Sequence, residues 1–249
     1  MENLDTHIFL WAIVGAFILG LAKGGVLGVN NITIALFAII FPPKLSIGII
    51  LLLLIVGDWG AFYFYRRYAV WKYLIPIIPW TIGGVLLGWQ LLDILDEKQI
   101  GRMIGICLIC LMFVHIVRKY FIKDENQSRP IPNHWALLGM VGFLGGFTST
   151  VANAAAPIML LFFLTVELQK LEILGTGAWF FLFLNLFKVP FLWSSGLINY
   201  EVLILDLKLV PFVVLGVVAG RTVIMKIPQK AFEIFALVVT VLASLRLIF

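Results

Sequence analysis

The sequence predicts an all-α polytopic membrane protein made of two inverted-topology repeats, each with five apolar segments. Three observations predict it. Of 249 residues, 62% are hydrophobic and 12% charged, where a soluble domain carries about 25% charged residues. Apolar runs of about 18 residues or more recur at 45–65, 71–92, 101–117, 171–193 and 203–224, each long enough to cross the hydrocarbon core as a helix. The hydrophobicity is spread evenly along these runs, whereas the strands of a membrane barrel alternate polar and apolar residues.

Each half of the chain resolves into five segments. They fall at 8–22, 29–41, 45–65, 71–92 and 100–118, then at 135–147, 155–166, 171–193, 203–224 and 231–249. The first two of each half are short, which suits a broken or re-entrant helical hairpin better than two full spans. The polar run Arg118–His134, RKYFIKDENQSRPIPNH, separates the halves. The expected organisation is an N-terminal membrane repeat over 1–118, a polar cytoplasmic linker over 119–134 and a C-terminal membrane repeat over 135–249. A shift of about 126 positions lays Gly20 on Gly146, Asn31 on Pro157 and Lys44-Leu45 on Lys170-Leu171. Further along, a shift of about 132 lays Pro79 on Pro211 and Gly84-x-x-x-Gly88 on Gly216-x-x-x-Gly220.

The N-terminus, MENLDTH, is acidic where a signal peptide is basic, so the first apolar run is expected to be retained. Arg66-Arg67, Lys72, the central segment, Arg221, Lys226 and Lys230 all fall on one side of this scheme. The positive-inside rule makes that side cytoplasmic and puts both termini outside. An odd number of segments per half makes the two halves enter from opposite faces, an arrangement common among secondary transporters.

The stretch GLAKGGVLGVNNIT, Gly20–Thr33, interrupts two apolar runs. Glycines are expected to break the helix there, and Asn30-Asn31 to cap the one that restarts. The second half repeats the plan in GGFTSTVANAAAP, with Thr148, Ser149, Thr150 and Asn153 as its polar groups and Pro157 in the first turn of the new helix. A helix N-terminus carries positive potential and unpaired N–H donors, so it attracts anions. Two such ends brought together near the midplane would form an anion site. Gly84, Gly88, Gly216 and Gly220 read instead as close-packing residues.

Few ionisable residues interrupt the apolar runs. Asp58 and Lys188 lie in the third segment of their halves, with Asn185 one turn before Lys188. A charge in mid-bilayer is costly and should pair or face water. Lys188 is positioned to hold an anion beside Asn185, unless it snorkels from a helix end. Asp58 suits proton coupling or neutralising Lys188, unless it serves as a structural salt bridge or cap. Lys23 either adds positive potential to the site or reaches the interface. His115, Gln90 and Asp206 lie near expected helix ends and read as interfacial. The tryptophans, Trp11, Trp71, Trp80, Trp89, Trp135 and Trp193, fit aromatic belts. Cys107 and Cys110 read as small core residues.

Neither a Walker loop nor a metal or hydrolase motif occurs, so no cofactor, metal or catalytic residue is expected. The histidines His7, His115 and His134 are scattered, which disfavours a membrane-embedded enzyme. The net charge of +5 reflects orientation and lipid contact in such a chain, not nucleic acid. The expected partners are a small anionic substrate and membrane lipid, with homo-oligomerisation left open. A passive anion channel is the alternative to a carrier.

The glycine-rich opening hairpin, the small-residue run ending in Pro157, Asn185-x-x-Lys188, and the paired Pro79 and Pro211 helices with their glycines carry a resemblance. In this order, over nearly the whole chain, they resemble the TauE/SafE family of sulfite exporters. The resemblance implies a transporter of sulfite or of organosulfonates such as sulfoacetate, in the bacterial cytoplasmic membrane. Two features depart from the family pattern: Asn31 stands where relatives commonly have proline, and Lys23 enters the first hairpin. Asn30, Asn31, Thr148, Ser149 and Asn153 are the expected oxygen ligands of the anion. Asn185 and Lys188 supply charge and orientation, and Asp58 and Lys23 are the candidates for coupling.

Overall fold

A computed structural model describes residues 6–26, 30–91, 135–153 and 155–228, with 230–232, 234 and 238 beyond them. The expected segments at 100–118 and most of 231–249, the linker at 119–134, and Cys107, Cys110, His115 and His134 lie outside the described residues. The described elements are helical: α1 Thr6–Lys23, α2 Asn30–Ile40, α3 Pro43–Tyr65, a 3-10 turn Arg66–Tyr68, α4 Trp71–Leu91, α5 Trp135–Ala152, α6 Ala156–Thr165, α7 Lys170–Ser194 and α8 Tyr200–Lys226. Helices α1, α3, α4, α5, α7 and α8 are each long and apolar enough to cross a membrane. The protein is therefore an integral, multi-pass membrane protein.

Local chemistry sets the helix limits. Pro43 opens α3, where its missing N–H has no intrahelical partner to lose and its fixed φ suits the first turn. Pro157 does the same for α6. The Asn199 side chain accepts a hydrogen bond from the Val202 N–H at 3.0 Å, so α8 starts at Tyr200 rather than near 203. Pro76 and Pro79 in α4, Pro190 in α7 and Pro211 in α8 lie inside their helices. Each removes one ladder bond and frees the carbonyl one turn earlier, which neighbouring protein can satisfy inside a membrane.

The hairpin breaks differ from expectation. Gly145 and Gly146 do not end the helix: α5 runs through them to Ala152. Thr148 and Thr150 donate to the Leu144 and Gly146 carbonyls at 2.7 and 2.9 Å, so their polarity is satisfied within the helix and does not disturb it. The break comes at Asn153, which takes φ 51°, a left-handed conformation that asparagine tolerates. In the first half Gly20 is likewise helical, and the chain turns after Lys23 at Gly25, whose φ of 127° demands glycine.

The chain divides into two compact units. Unit 1 comprises 1–69 and 178–228; unit 2 comprises 70–177 and 229–249. In unit 1, α8 lies parallel to α1 and also packs on α3. Its core includes Ala12, Ala16 and Leu19 from α1, Ile49 and Leu53 from α3, and Leu209, Val213 and Val217 from α8. In unit 2, α4 lies parallel to α5. Each unit thus combines a hairpin from one half of the sequence with a glycine-bearing helix from the other.

The two seams use corresponding residues. A Cβ on Gly20 would collide with the Val213 carbonyl and crowd the Val217 N–H; one on Gly146 would do the same to Thr81 and Val85. Gly216 meets the Phe17 carbonyl and the Leu21 N–H as Gly84 meets Phe143 and Phe147. Shifts of about 126 and 132 positions convert one set of contacts into the other. Close backbone approach of this kind is the main source of helix attraction where lipid removes the hydrophobic incentive. Gly20 and Gly146, expected to shape the hairpins, are in place as packing residues.

Candidate functional site

Unit 1 holds a cluster of ionisable and amide side chains in otherwise apolar surroundings. Helices α3 and α7 pass each other antiparallel: Phe62 stacks edge-on against Trp179 at 4.6 Å, Asp58 meets Asn185, and Leu51 packs with Leu192. The Trp179 indole N–H donates to the Arg66 carbonyl at 3.2 Å, pinning the register at one end. This register sets Asp58 and Asn185 side by side. Gly57 leaves room for the aliphatic stem of Lys23, since a Cβ there would press on Lys23 Cγ. Lys23, at the end of α1, therefore reaches Asp58.

The Asp58 carboxylate is fully engaged. Lys23 Nζ forms an ion pair with Oδ1, and Asn185 Nδ2 donates to Oδ2 at 2.6 Å. Asp58 is 1% exposed. The Lys23 ammonium also lies 4.6 Å from the centre of the Phe181 ring, a favourable cation–π placement. Lys188 sits one turn beyond Asn185 on α7, is 0% exposed, and interacts electrostatically with both Asp58 and Lys23. It is therefore not a snorkelling lysine. Two lysines thus share one carboxylate inside the protein. Asn185 Oδ1 is buried without a hydrogen bond among the described residues.

Tyr65 closes the cluster toward the end of α3. Its hydroxyl donates to the Gly24 carbonyl at 2.6 Å, tying the turn after α1 to α3. Arg221 of α8 lies over the Phe64 ring at 4.1 Å. The contacts of Lys23 and Tyr65 both depend on where α1 stops, and so on the turn at Gly24-Gly25.

The remaining expected ligands occupy the hairpins. Asn30, in the first turn of α2, is 8% exposed, and its Oδ1 makes no hydrogen bond among the described residues, so it does not cap the helix as expected. The Asn31 side chain lies outside the described residues. Thr33, one turn on, donates to the Gly15 carbonyl at 3.2 Å. These residues belong to unit 1. In unit 2, Thr148, Ser149 and Asn153 are buried at the end of α5, and the Asn153 N–H donates to the Ser149 carbonyl at 3.0 Å. The structure thus brings Lys23, Asp58, Asn185 and Lys188 together, while Asn30 and the Thr148–Asn153 group occupy hairpin ends in their respective units.

Asp206, expected near a helix end at the interface, is 4% exposed, and among the described residues neither of its carboxylate oxygens has a hydrogen-bond partner. Because the Asn199 cap starts α8 at Tyr200, Asp206 lies nearly two turns inside the helix and on its buried face. The signal was present in the sequence, as an asparagine three residues before a valine at the head of an apolar run.

Among the described residues, no group of three histidine, cysteine or carboxylate side chains could hold a metal ion. Neither a curated protein nor a solved structure matches the chain significantly. A family model described as "Sulfite exporter TauE/SafE" matches residues 8–247. With its apolar spanning helices and a match over nearly its whole length, the chain belongs to the TauE/SafE family of sulfite exporters.

Proposed function

We propose that the protein is a secondary transporter that exports a small sulfur-containing anion, sulfite or an organosulfonate, across a bacterial cytoplasmic membrane. The observation that carries this reading is the charge balance of the Lys23–Asp58–Asn185–Lys188 cluster. With both lysines protonated, two cations face one described carboxylate in apolar protein. Buried cations are costly, and an arriving anion offers them a further negative charge. Lys188 supplies the countercharge, and the Asn185 amide, held by Asp58, fixes the polar wall beside it.

The hairpin ends contribute donors. The N-termini of α2 and α6 offer unpaired N–H groups and favourable potential to sulfite or sulfonate oxygens. Asn30, Asn31, Thr148, Ser149 and Asn153 add side-chain contacts. The corresponding contacts at the α1–α8 and α4–α5 seams support an internal repeat, and the parallel packing within each seam agrees with two repeats inserted from opposite faces. Alternating access follows from one repeat moving against the other.

Uptake of radiolabelled sulfite into proteoliposomes tests this reading. Lys188→Ala is expected to abolish uptake while the purified protein still melts cooperatively; unchanged uptake removes Lys188 from the site. A melting screen with sulfite, sulfoacetate, taurine, sulfate and lactate identifies the anion. A ligand at a hundred times its Kd adds about 2.7 kcal/mol to stability, enough to read as a shift in Tm.

A further inference from the structure

Asp206 has no role in the cluster described above. Gly20 of α1 sits on Val213 and Gly216 of α8, and Gly24 on Val217 and Gly220, so the two helices climb in parallel register. Lys23 is then level with the stretch just before Gly220. Asp206 lies more than three turns lower on α8, about 20 Å along the axis. The same register puts it level with Ala12, which is fully buried. Val202, Leu205 and Leu209 flank it on its own helix, all on the buried face.

No described ionisable group faces it. On α8, Glu201 and Lys208 are exposed. On α1, His7 is exposed and Lys23 is held by Asp58. On α3, Asp58 is occupied and the side chain of Lys44 lies outside the described residues, and α2 carries no ionisable residue. Lys188 of α7 belongs to the Asp58 cluster.

An ionised carboxylate without donor or cation cannot be held in such a seam, whereas the neutral acid can. Ionisation therefore requires water to reach the side chain, and so requires the seam around it to open. Pro211 lies just over one turn further along α8, between Asp206 and the glycine contacts. It removes the ladder bond to the Leu207 carbonyl, which makes this the compliant point of the helix. The tightly packed part, from Val213 to Gly220, lies beyond it.

We propose that Asp206 is a proton-binding site, at which the carboxylate takes a proton from water when the first turns of α8 swing open and carries it as a neutral acid when they close. The step forms one O–H bond and transfers no electrons. Its link to anion movement rests on the transport reading above; the proton site itself does not.

Infrared difference spectra of the full-length protein in lipid, between acidic and alkaline buffer, decide the proton site. The expected result is a protonated-carboxyl C=O band that shifts in deuterium oxide, shifts again in Asp206→Glu and is absent in Asp206→Asn. An identical band in Asp206→Asn overturns the proposal, and so does the absence of any such band in the wild type. Radiolabelled sulfite in proteoliposomes tests the coupling. A one-unit pH gradient should drive about tenfold accumulation for one proton per anion. In Asp206→Asn this ratio should fall to about one while exchange at equal pH continues. An undiminished gradient response in Asp206→Asn, with the variant melting like the wild type, shows that the residue is structural. If the wild type moves no sulfite, the anion reading fails while the infrared band still decides Asp206.

Discussion

Lys23 and Asp58 make an ion pair whose partners are unequally important to the cluster. Removing the Lys23 charge with Lys23→Met leaves Asp58 facing Lys188 and Asn185, so a cation still balances the carboxylate. Removing the Asp58 charge with Asp58→Asn leaves two lysines within reach of each other and no described carboxylate between them. Breaking a buried pair by deleting one partner typically costs 3–5 kcal/mol, because the other charge is stranded. Asp58→Asn is therefore expected to destabilise the purified protein by at least about 3 kcal/mol, and Lys23→Met by clearly less. The double variant should cost less than the sum of the two. Denaturation of the four proteins in one detergent gives the cycle; equal costs for the two single variants would show that Lys188 takes no part in the balance.

Adjacent glycines of α4 show what the helix seams require. Gly83 has nothing nearer to an added Cβ than Phe143 Cδ2 at 3.9 Å, an ordinary contact. Gly84 faces the Phe143 carbonyl and the Phe147 N–H, which are backbone atoms and cannot move aside. Gly83→Ala should raise stability by about 0.5–1 kcal/mol, the usual gain of alanine over glycine inside a helix. Gly84→Ala should lower it by about 1–3 kcal/mol through overpacking of the α4–α5 seam. Thermal melting of the two variants checks both signs, and a stabilised Gly84→Ala would contradict the seam.

At this scale the sequence was informative where composition decides and less so where a partner decides. Helices α3, α4, α7 and α8 lie close to their expected positions, because length and apolarity are properties of a segment on its own. Helices α1 and α5, expected as short hairpin segments, are instead each long enough to span, α5 running five residues past its expected end. Thr148 and Thr150 misled because a hydroxyl can bond back to its own helix, which a residue count does not reveal. Asp58 and Lys188 were legible as buried ionisable residues with a polar neighbour. That Lys23 pairs with Asp58 was not, since the contact depends on where α1 ends and on the room left by Gly57. That Asp206 is buried in protein was not legible either, because its place nearly two turns inside α8 follows from the cap at Asn199.

The make-up of the two units has a consequence for the whole chain. Unit 1 completes the α1–α3 hairpin side with α8, and unit 2 completes the α5–α6 hairpin with α4, so each draws on both halves of the sequence. Neither half contains a finished packing unit. Residues 1–118 on their own would expose the face of α1 that carries Gly20 and Gly24, and residues 135–249 the face of α5 that carries Gly142 and Gly146. Between the halves runs the polar segment Arg118–His134, which has neither the length nor the apolarity of a span. A chain cut within that segment should assemble when both pieces are made together, since the cut leaves intact the helices whose seams join the halves. Co-purification through a tag on one piece, followed by melting, measures this. The tagged C-terminal piece should retain the N-terminal one and the pair should melt cooperatively, whereas either piece alone should not. Gly20→Leu in the N-terminal piece should weaken retention by prising α1 from Val213 and Gly216 of α8. Cooperative melting of the isolated N-terminal piece would mean that the hairpin packs without α8, and would contradict the exchange of helices between the halves.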